Sequence, residues 1–309
     1  MDIGGTKTLV GVVESSGRVL AQKRIETPGS LGPDAAIAAI KSAGHEVIAL
    51  SGVGIDAIGI GCGGPLDRLA GTLDDVPNLP GWKGLCLTDI FGSEFGAPAY
   101  LDNDATAAAM GEAMFGAGKG FSDFVFFIVA TGIGGGIIID GRPYRGYGDN
   151  AGEFGHQKIT IDGPPCPCGD RGCLESLASG TSIARIAREQ ICAGAHSVLA
   201  QWVAAPDQVT AELVARAAAL GDPLASSVWN GAVRHLGIGV ANVVNILNPR
   251  RVVLGGGVTR AGDMLFEPVR QIVRERAMPA LANVVDVVPA GNGDLVGLMG
   301  AVAVALDAG

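Results

Sequence analysis

The sequence predicts an α/β protein of two domains, and three observations carry that prediction. Apolar and β-branched runs alternate along the chain with small-residue stretches of helical pattern. A glycine turn leading into a strand and a second turn occurs twice, from Asp2 to Gly17 and again from Ala130 to Gly141. The 309 residues, 48% of them hydrophobic, suit two cores of ordinary size.

Taken in order, Thr8–Val13 and Arg18–Ile25 read as strands joined at Ser15-Ser16-Gly17, a hairpin. Pro33–Leu50 has a helical pattern, and Ile55–Gly61 that of a buried strand. Asp74–Trp82 carries turn signals at Pro77-Asn78 and Pro80-Gly81 and reads as loop. Strand Pro98–Leu101 leads into helix Ala105–Phe115. Phe124–Ala130 and Gly136–Ile139 are strands around a glycine turn. Helices follow at Thr181–Ala193, Thr210–Leu220 and Pro223–Leu247. Strand Arg251–Leu254 meets Gly255-Gly256-Gly257, and a last helix runs from Leu295 to Leu306. The expected division is a small first domain of residues 1–117 plus 296–309 and a larger one of 118–295.

A net charge of −9 argues against a nucleic-acid partner, because phosphate binding wants a basic face. An anionic nucleotide can still bind through backbone N–H groups and a magnesium ion. No apolar run reaches the length of a membrane span, and no basic, apolar leader opens the chain. A cytoplasmic protein with no membrane partner is the expectation.

The densest chemistry lies between Glu153 and Glu175. Glu153-Phe154-Gly155-His156 is followed by Cys166-Pro167-Cys168-Gly169-Asp170-Arg171-Gly172-Cys173-Leu174-Glu175. Thiolates and imidazole are the ligands of a four-coordinate structural zinc, so His156, Cys166, Cys168 and Cys173 are candidate ligands. Such a clamp would fix a glycine- and proline-rich loop and hold Glu153 and Glu175 in place to grip a polyol. The alternative is a set of unpaired or redox-active thiols. Cys166 and Cys168 are too close for an easy mutual disulfide, and six cysteines in this length are not disulfide density. Cys62, Cys86 and Cys192 read as small buried residues.

The glycine turns have a physical purpose. Without Cβ the backbone turns successive N–H groups toward one oxyanion. Three such loops follow apolar strands, at Asp2–Lys7, Ala130–Gly136 and Leu254–Val258, and together they point to a nucleotide's phosphates and to a kinase. None has P-loop spacing or the full dinucleotide context, so a Rossmann oxidoreductase is disfavoured. Leu101-Asp102-Asn103-Asp104-Ala105 joins a strand to a helix and admits two readings: a cap for the helix, or a general base for an attacking hydroxyl.

These motifs together resemble the ROK family of sugar kinases and repressors, and within it the glucokinases, over essentially the whole chain. Asp2–Lys7 and Ala130–Gly136 are similar to the family's two phosphate motifs, and Gly255–Val258 to its adenosine motif. Pro77–Trp82 is similar to a sugar-domain segment, Leu101–Ala105 to the catalytic segment, and Glu153–His156 with Cys166–Glu175 to the sugar-contact and zinc motifs. The resemblance implies the two-domain fold of actin and hexokinase, with duplicated ribonuclease-H-like domains hinged around a cleft and a zinc-bound loop. It implies ATP-dependent phosphorylation of glucose or a related hexose (N-acetylmannosamine, N-acetylglucosamine, mannose or fructose), or less directly a sugar-sensing regulator. The acidic balance disfavours the DNA-binding branch. Polyphosphate is an alternative donor.

By the same resemblance Asp104 is the base, and Asn103, Glu153, His156 and Glu175 hold the sugar, with Gly63 and Asn78 as weaker contacts. His156 would serve zinc with one ring nitrogen and sugar with the other. Asp2 would orient Mg²⁺ through water. Gly4, Gly5, Thr6, Lys7, Thr131, Gly132, Gly255 and Gly256 would contact the nucleotide. A homodimer or tetramer is common in the family. Two departures stand out: Asp102 and Thr106 occupy places where Glu and Asn are commoner, and only Met1 precedes Asp2. The second implies a mostly missing strand, from an upstream start or a truncated chain.

Overall fold

The computed structural model describes residues 1–27 and 32–308. The chain forms two compact units, one of Met1–Ser122, Gly136–Gly152 and Ala290–Gly309, the other of Asp123–Gly135 and Glu153–Pro289. The first unit takes in more chain than the expected 1–117 and 296–309, and two contacts give the reason. Arg145 clasps the buried Asp102 carboxylate, Nη2 to Oδ2 at 2.6 Å and Nε to Oδ2 at 3.0 Å, which ties the 136–152 segment to this unit. The buried Glu112 carboxylate accepts the amides of Gly291 at 2.8 Å and Asn292 at 3.0 Å, which draws in the chain from Ala290 onward.

The first unit contains strands β1 (Asp2–Ile3), β2 (Lys7–Val13), β3 (Val19–Glu26), β4 (Ile58–Cys62), β5 (Leu66–Asp67), β6 (Thr72–Leu73) and β7 (Ala99–Asn103). Its first three helices are α1 (Pro33–Ser51), α2 (Leu87–Phe95) and α3 (Asp104–Phe115). The expected hairpin is the antiparallel pair β2–β3. The strand expected from Ile55 starts at Ile58, because pairing begins only where the Ile58 N–H meets the Pro98 carbonyl at 2.8 Å. The sheet order is β3-β2-β1-β4-β7. β1 pairs antiparallel to β2 and parallel to β4, so two residues, Asp2 and Ile3, occupy the centre of the sheet. Ile3, Ile60 and Leu101 from these strands are fully buried.

The second sheet is built from β8 (Phe124–Val129), β9 (Ile133–Ile139), β10 (Arg142–Pro143), β11 (Arg251–Gly255) and β12 (Asp286–Pro289), in the order β10-β9-β8-β11-β12. The end of β9 and β10 count with the first unit. Each sheet thus has an antiparallel hairpin on one side of its central strand and two parallel strands on the other, the duplicated α/β arrangement that was expected. Phe124, Phe126 and Phe127 of β8 are fully buried, as befits a strand covered on both faces. Each ring contributes about 1.5–3 kcal/mol of transfer free energy.

The helices of the second unit are α4 (Leu174–Ala178), α5 (Gly180–Cys192), α6 (Leu199–Trp202), α7 (Ala211–Ala219), α8 (Pro223–Leu247), α9 (Asp263–Arg276) and α10 (Pro279–Ala282), while α11 (Val296–Ala308) belongs to the first. The bounds of α8 follow from its ends. Asp222 accepts the Ala225 N–H at 2.8 Å, Pro223 suits the first turn, and Asn248 closes the helix in the left-handed region. α2, α9 and β12 lie in stretches where the sequence pattern predicts no element. α9 carries Pro268 inside it, which leaves the Met264 carbonyl without its helical donor; the Trp229 indole N–H supplies one at 3.3 Å. Among the described residues, no helix is long and apolar enough to cross a membrane.

Candidate active site

In the first unit the parallel strands β4 and β7 end together, with Cys62 opposite Asn103. Such carboxyl ends are where open α/β sheets bind ligands. Asn103 caps α3, its Oδ1 accepting the N–H groups of Ala105 at 3.0 Å and Thr106 at 3.2 Å. That leaves Asp104, at the first helical position, unneeded as the cap. One of its oxygens accepts the Ala105 N–H at 2.8 Å. Protein crowds the partly exposed carboxyl enough that burial raises its pKa, against the pull of the Ala105 amide. Asp102 takes no part in this. It is locked by Arg145 and accepts the Asn103 N–H at 2.9 Å, so its role is to fix the strand end.

Asp2 lies at the same end of the sheet. Its carboxylate rests against Gly297 in the first turn of α11, where a Cβ would overlap it. Burial, and next the negative charge of Asp104, push the Asp2 pKa up to about 6. Two neighbouring acids that resist joint ionisation suit a hydrated cation, which relieves both. The glycine loop beside Asp2 closes with the Gly4 N–H on the Lys7 carbonyl at 3.0 Å, and Thr6 and Lys7 are exposed. Gly5 packs so closely on the Asn78 backbone that a side chain there would overlap it, and Gly64, next to Gly63, lies beside the Asn103 amide. Sequence reading missed Thr27. Its hydroxyl donates to the Gly4 carbonyl at 2.7 Å and its N–H to the Thr6 carbonyl at 2.9 Å, so it braces the loop. The neighbouring Thr8 hydroxyl lies 2.9 Å from that of Thr27.

In the second unit the loop between β8 and β9 is held from behind by α5. Ala130 O accepts the Gly180 N–H at 2.7 Å and Thr131 O the Thr181 N–H at 3.3 Å. Next to this loop opens a cavity of about 720 Å³, lined by Ala130, Thr131, Gly257, Val258, the α5 residues Thr181, Ala184 and Arg188, and one face of α7. That face presents Ala211, Ala215 and Ala219 at helical spacing, together with Arg216. Gly255 and Gly256 form the turn behind the wall rather than the wall itself. Gly256 has φ +95°, and a Cβ would sit 2.5 Å from the Val129 carbonyl oxygen. Arg188, Arg216, Trp229 and Arg260 line the cavity without having been legible as such.

The loop at 153–175 brings its four candidate ligands together. Ligand atoms of His156, Cys166, Cys168 and Cys173 all lie within 4.8 Å of one another. Cys168 Sγ is 3.6 Å from Cys173 Sγ, and Cys166 Sγ is 3.6 Å from His156 Nδ1. Tetrahedral zinc with thiolates at about 2.3 Å sets its ligand atoms at about this separation, so the residues fit that ion. The thiols are free rather than disulfide-bonded. Around them the backbone pairs only in single bridges, Lys158 with Cys173 and Pro165 with Arg171. His156 turns Nδ1 to the cysteines and Nε2 toward Glu153, 3.8 Å from Oε2. Lys158 Nζ lies 2.9 Å from Cys173 Sγ, a cation beside the thiolate cluster.

The ROK family's sequence profile matches residues 1–308. The chain belongs to the ROK family. A glucokinase of Thermotoga maritima is 35% identical over 98% of this chain and 95% of its own. One of Streptomyces coelicolor is 35% identical, covering 97% and 95%. The solved ROK glucokinase of Streptomyces griseus, in complex with glucose and AMPPNP, is 34% identical with a TM-score of 0.87, covering 99% of this chain and 98% of that one. The first unit carries the two acids and one glycine loop, and the second carries the other loop, the cavity and the thiol cluster.

Proposed function

We propose that this ROK protein transfers the γ-phosphoryl group of ATP to the 6-hydroxyl of glucose. The observation that carries the reading is Asp104: a carboxylate relieved of capping by Asn103, beside Asp2 and a glycine loop. Asp104 accepts the hydroxyl proton as the sugar oxygen attacks phosphorus and ADP departs. Asn103, Glu153, His156 and Glu175 hydrogen-bond the remaining hydroxyls, with Gly63 and Asn78 as secondary contacts. Asp2 would hold Mg²⁺, which would supply neutralisation of phosphate charge there. Gly4, Gly5, Thr6 and Lys7 hold phosphates in the first unit, and Thr131 and Gly132 in the second.

The cavity volume of about 720 Å³ suits a nucleoside, and its wall includes Ala130 and Thr131, so a base and ribose seated there would lead their phosphates onto that loop. Gly255 and Gly256 turn the chain behind that wall. Filling it should separate the two substrates: Ala215→Phe on the half-exposed face of α7 is expected to raise KM for ATP at least about 10-fold, the loss of a well-filled pocket, and leave KM for glucose unchanged. Steady-state kinetics with each substrate varied checks this. His156, Cys166, Cys168 and Cys173 hold a structural zinc that keeps His156 and Glu175 in place.

The acids predict a pH dependence. Asp104 must be ionised to accept a proton, and burial raises its pKa. The active form is therefore lost as pH falls through a value above the ordinary carboxylate range of about 4. A kcat profile with an acid limb no higher than that of an exposed aspartate would contradict this. Glucose 6-phosphate formation from Mg·ATP, compared with the products from mannose, fructose, N-acetylglucosamine and N-acetylmannosamine, tests the substrate; a higher kcat/KM for another hexose would keep the reaction and replace the sugar.

A further inference from the structure

We propose that Gly132 and the Ile133 amide position Glu175, so that one contact sets both the phosphate loop of the second unit and the sugar-binding carboxylate. The inference rests on the sugar role proposed for Glu175 and extends it to the loop residues. The Ile133 N–H donates to Glu175 Oε2 at 2.8 Å. A Cβ at Gly132 would overlap that same oxygen, and among the described residues beyond its chain neighbours the Glu175 carboxyl is the one group that it would meet. Gly132 does not lie in the left-handed region, so alanine is allowed there by the backbone and excluded only by this side chain.

The main chain around Glu175 completes the grip. Its carbonyl accepts the Ser179 N–H at 3.1 Å and the Ser182 hydroxyl at 2.7 Å, while Gly180 and Thr181 donate to the carbonyls of Ala130 and Thr131. Residues 175–182 therefore hold the loop from two sides, carboxylate in front and helix start behind. An anion seated on a phosphate-loop amide removes that donor from any phosphate, which leaves the amides of Thr131 and Gly132 for the nucleotide. What the contact gains is a fixed rotamer: one carboxylate oxygen is pinned, and its other lone pairs keep a set direction for sugar hydroxyls.

The test is glucose binding by calorimetry with no nucleotide present, on the full-length protein loaded with zinc. Gly132→Ala is expected to weaken glucose at least about 10-fold, the scale of one charge-assisted hydrogen bond lost. In a Glu175→Ala background the same substitution should have no further effect. Equal glucose affinity in Gly132→Ala and the unmutated protein would overturn the proposal, as would a penalty that persists undiminished without Glu175. Failure of the unmutated protein to bind any hexose would instead remove the sugar role of Glu175, and the coupling with it. If Gly132→Ala does not fold, hydrogen exchange decides: Glu175→Ala should speed exchange of the Ile133 amide at least about 10-fold, and an unchanged rate would overturn the contact.

Discussion

Asp104→Asn is expected to lower kcat by at least about 10²-fold, the usual worth of a general base, with glucose binding nearly intact. The substitution is conservative in every respect but one. Asparagine keeps an oxygen for the Ala105 N–H, and the cap of α3 is supplied by Asn103, so the helix loses no partner. Only the proton acceptor goes. Removing the Asp104 charge also relieves Asp2, whose pKa that charge helps to raise, so Asp2 should titrate nearer its ordinary value in the variant. Calorimetry and steady-state kinetics separate the outcomes. A loss confined to KM would assign Asp104 to sugar binding and not to proton transfer.

Cys168→Ser is the second large effect. The Cys168 side chain is exposed, so without a metal the change would be a surface substitution worth no more than about 0.5 kcal/mol. With zinc it removes one of four ligands from a loop whose backbone pairs only in isolated bridges. The expected result is loss of zinc by elemental analysis and a fall in stability of about 3 kcal/mol or more, with weaker glucose binding because His156 is no longer held. Unchanged melting temperature and no zinc in either protein would contradict the structural role.

What the sequence made legible was whatever is written in uncommon residue types or in long periodic runs. Three cysteines and a histidine on a short loop converge as their ligand chemistry implies. α8 was legible to the residue because Pro223 starts it and buried positions recur along it as far as Val244. β1 was not, since two residues carry no periodicity and only pairing on both edges makes Asp2–Ile3 a strand. α9 was hidden by Pro268, whose cost is met by a distant indole. The cavity was hidden too: Ala211, Ala215 and Ala219 look like helix packing until the fold sets them opposite Thr131 and Val258. At Asn103-Asp104 the sequence left cap and base equally open; the hydrogen bonds assign the cap to Asn103, because sequence cannot say which of two capping-competent neighbours does the capping, and the base role of Asp104 remains a proposal. The domain division moved for a similar reason, as Arg145 and Glu112 act across long separations in sequence.

The most direct measurement is the fate of the terminal phosphate. Incubated with magnesium, glucose and ATP carrying a γ-phosphate label, the protein is predicted to place the label on the 6-oxygen of glucose, and the Asp104→Asn variant to leave it on ATP. Label released as inorganic phosphate, or retained on ATP by the unmutated protein with every hexose offered, would contradict a sugar kinase with Asp104 as its base.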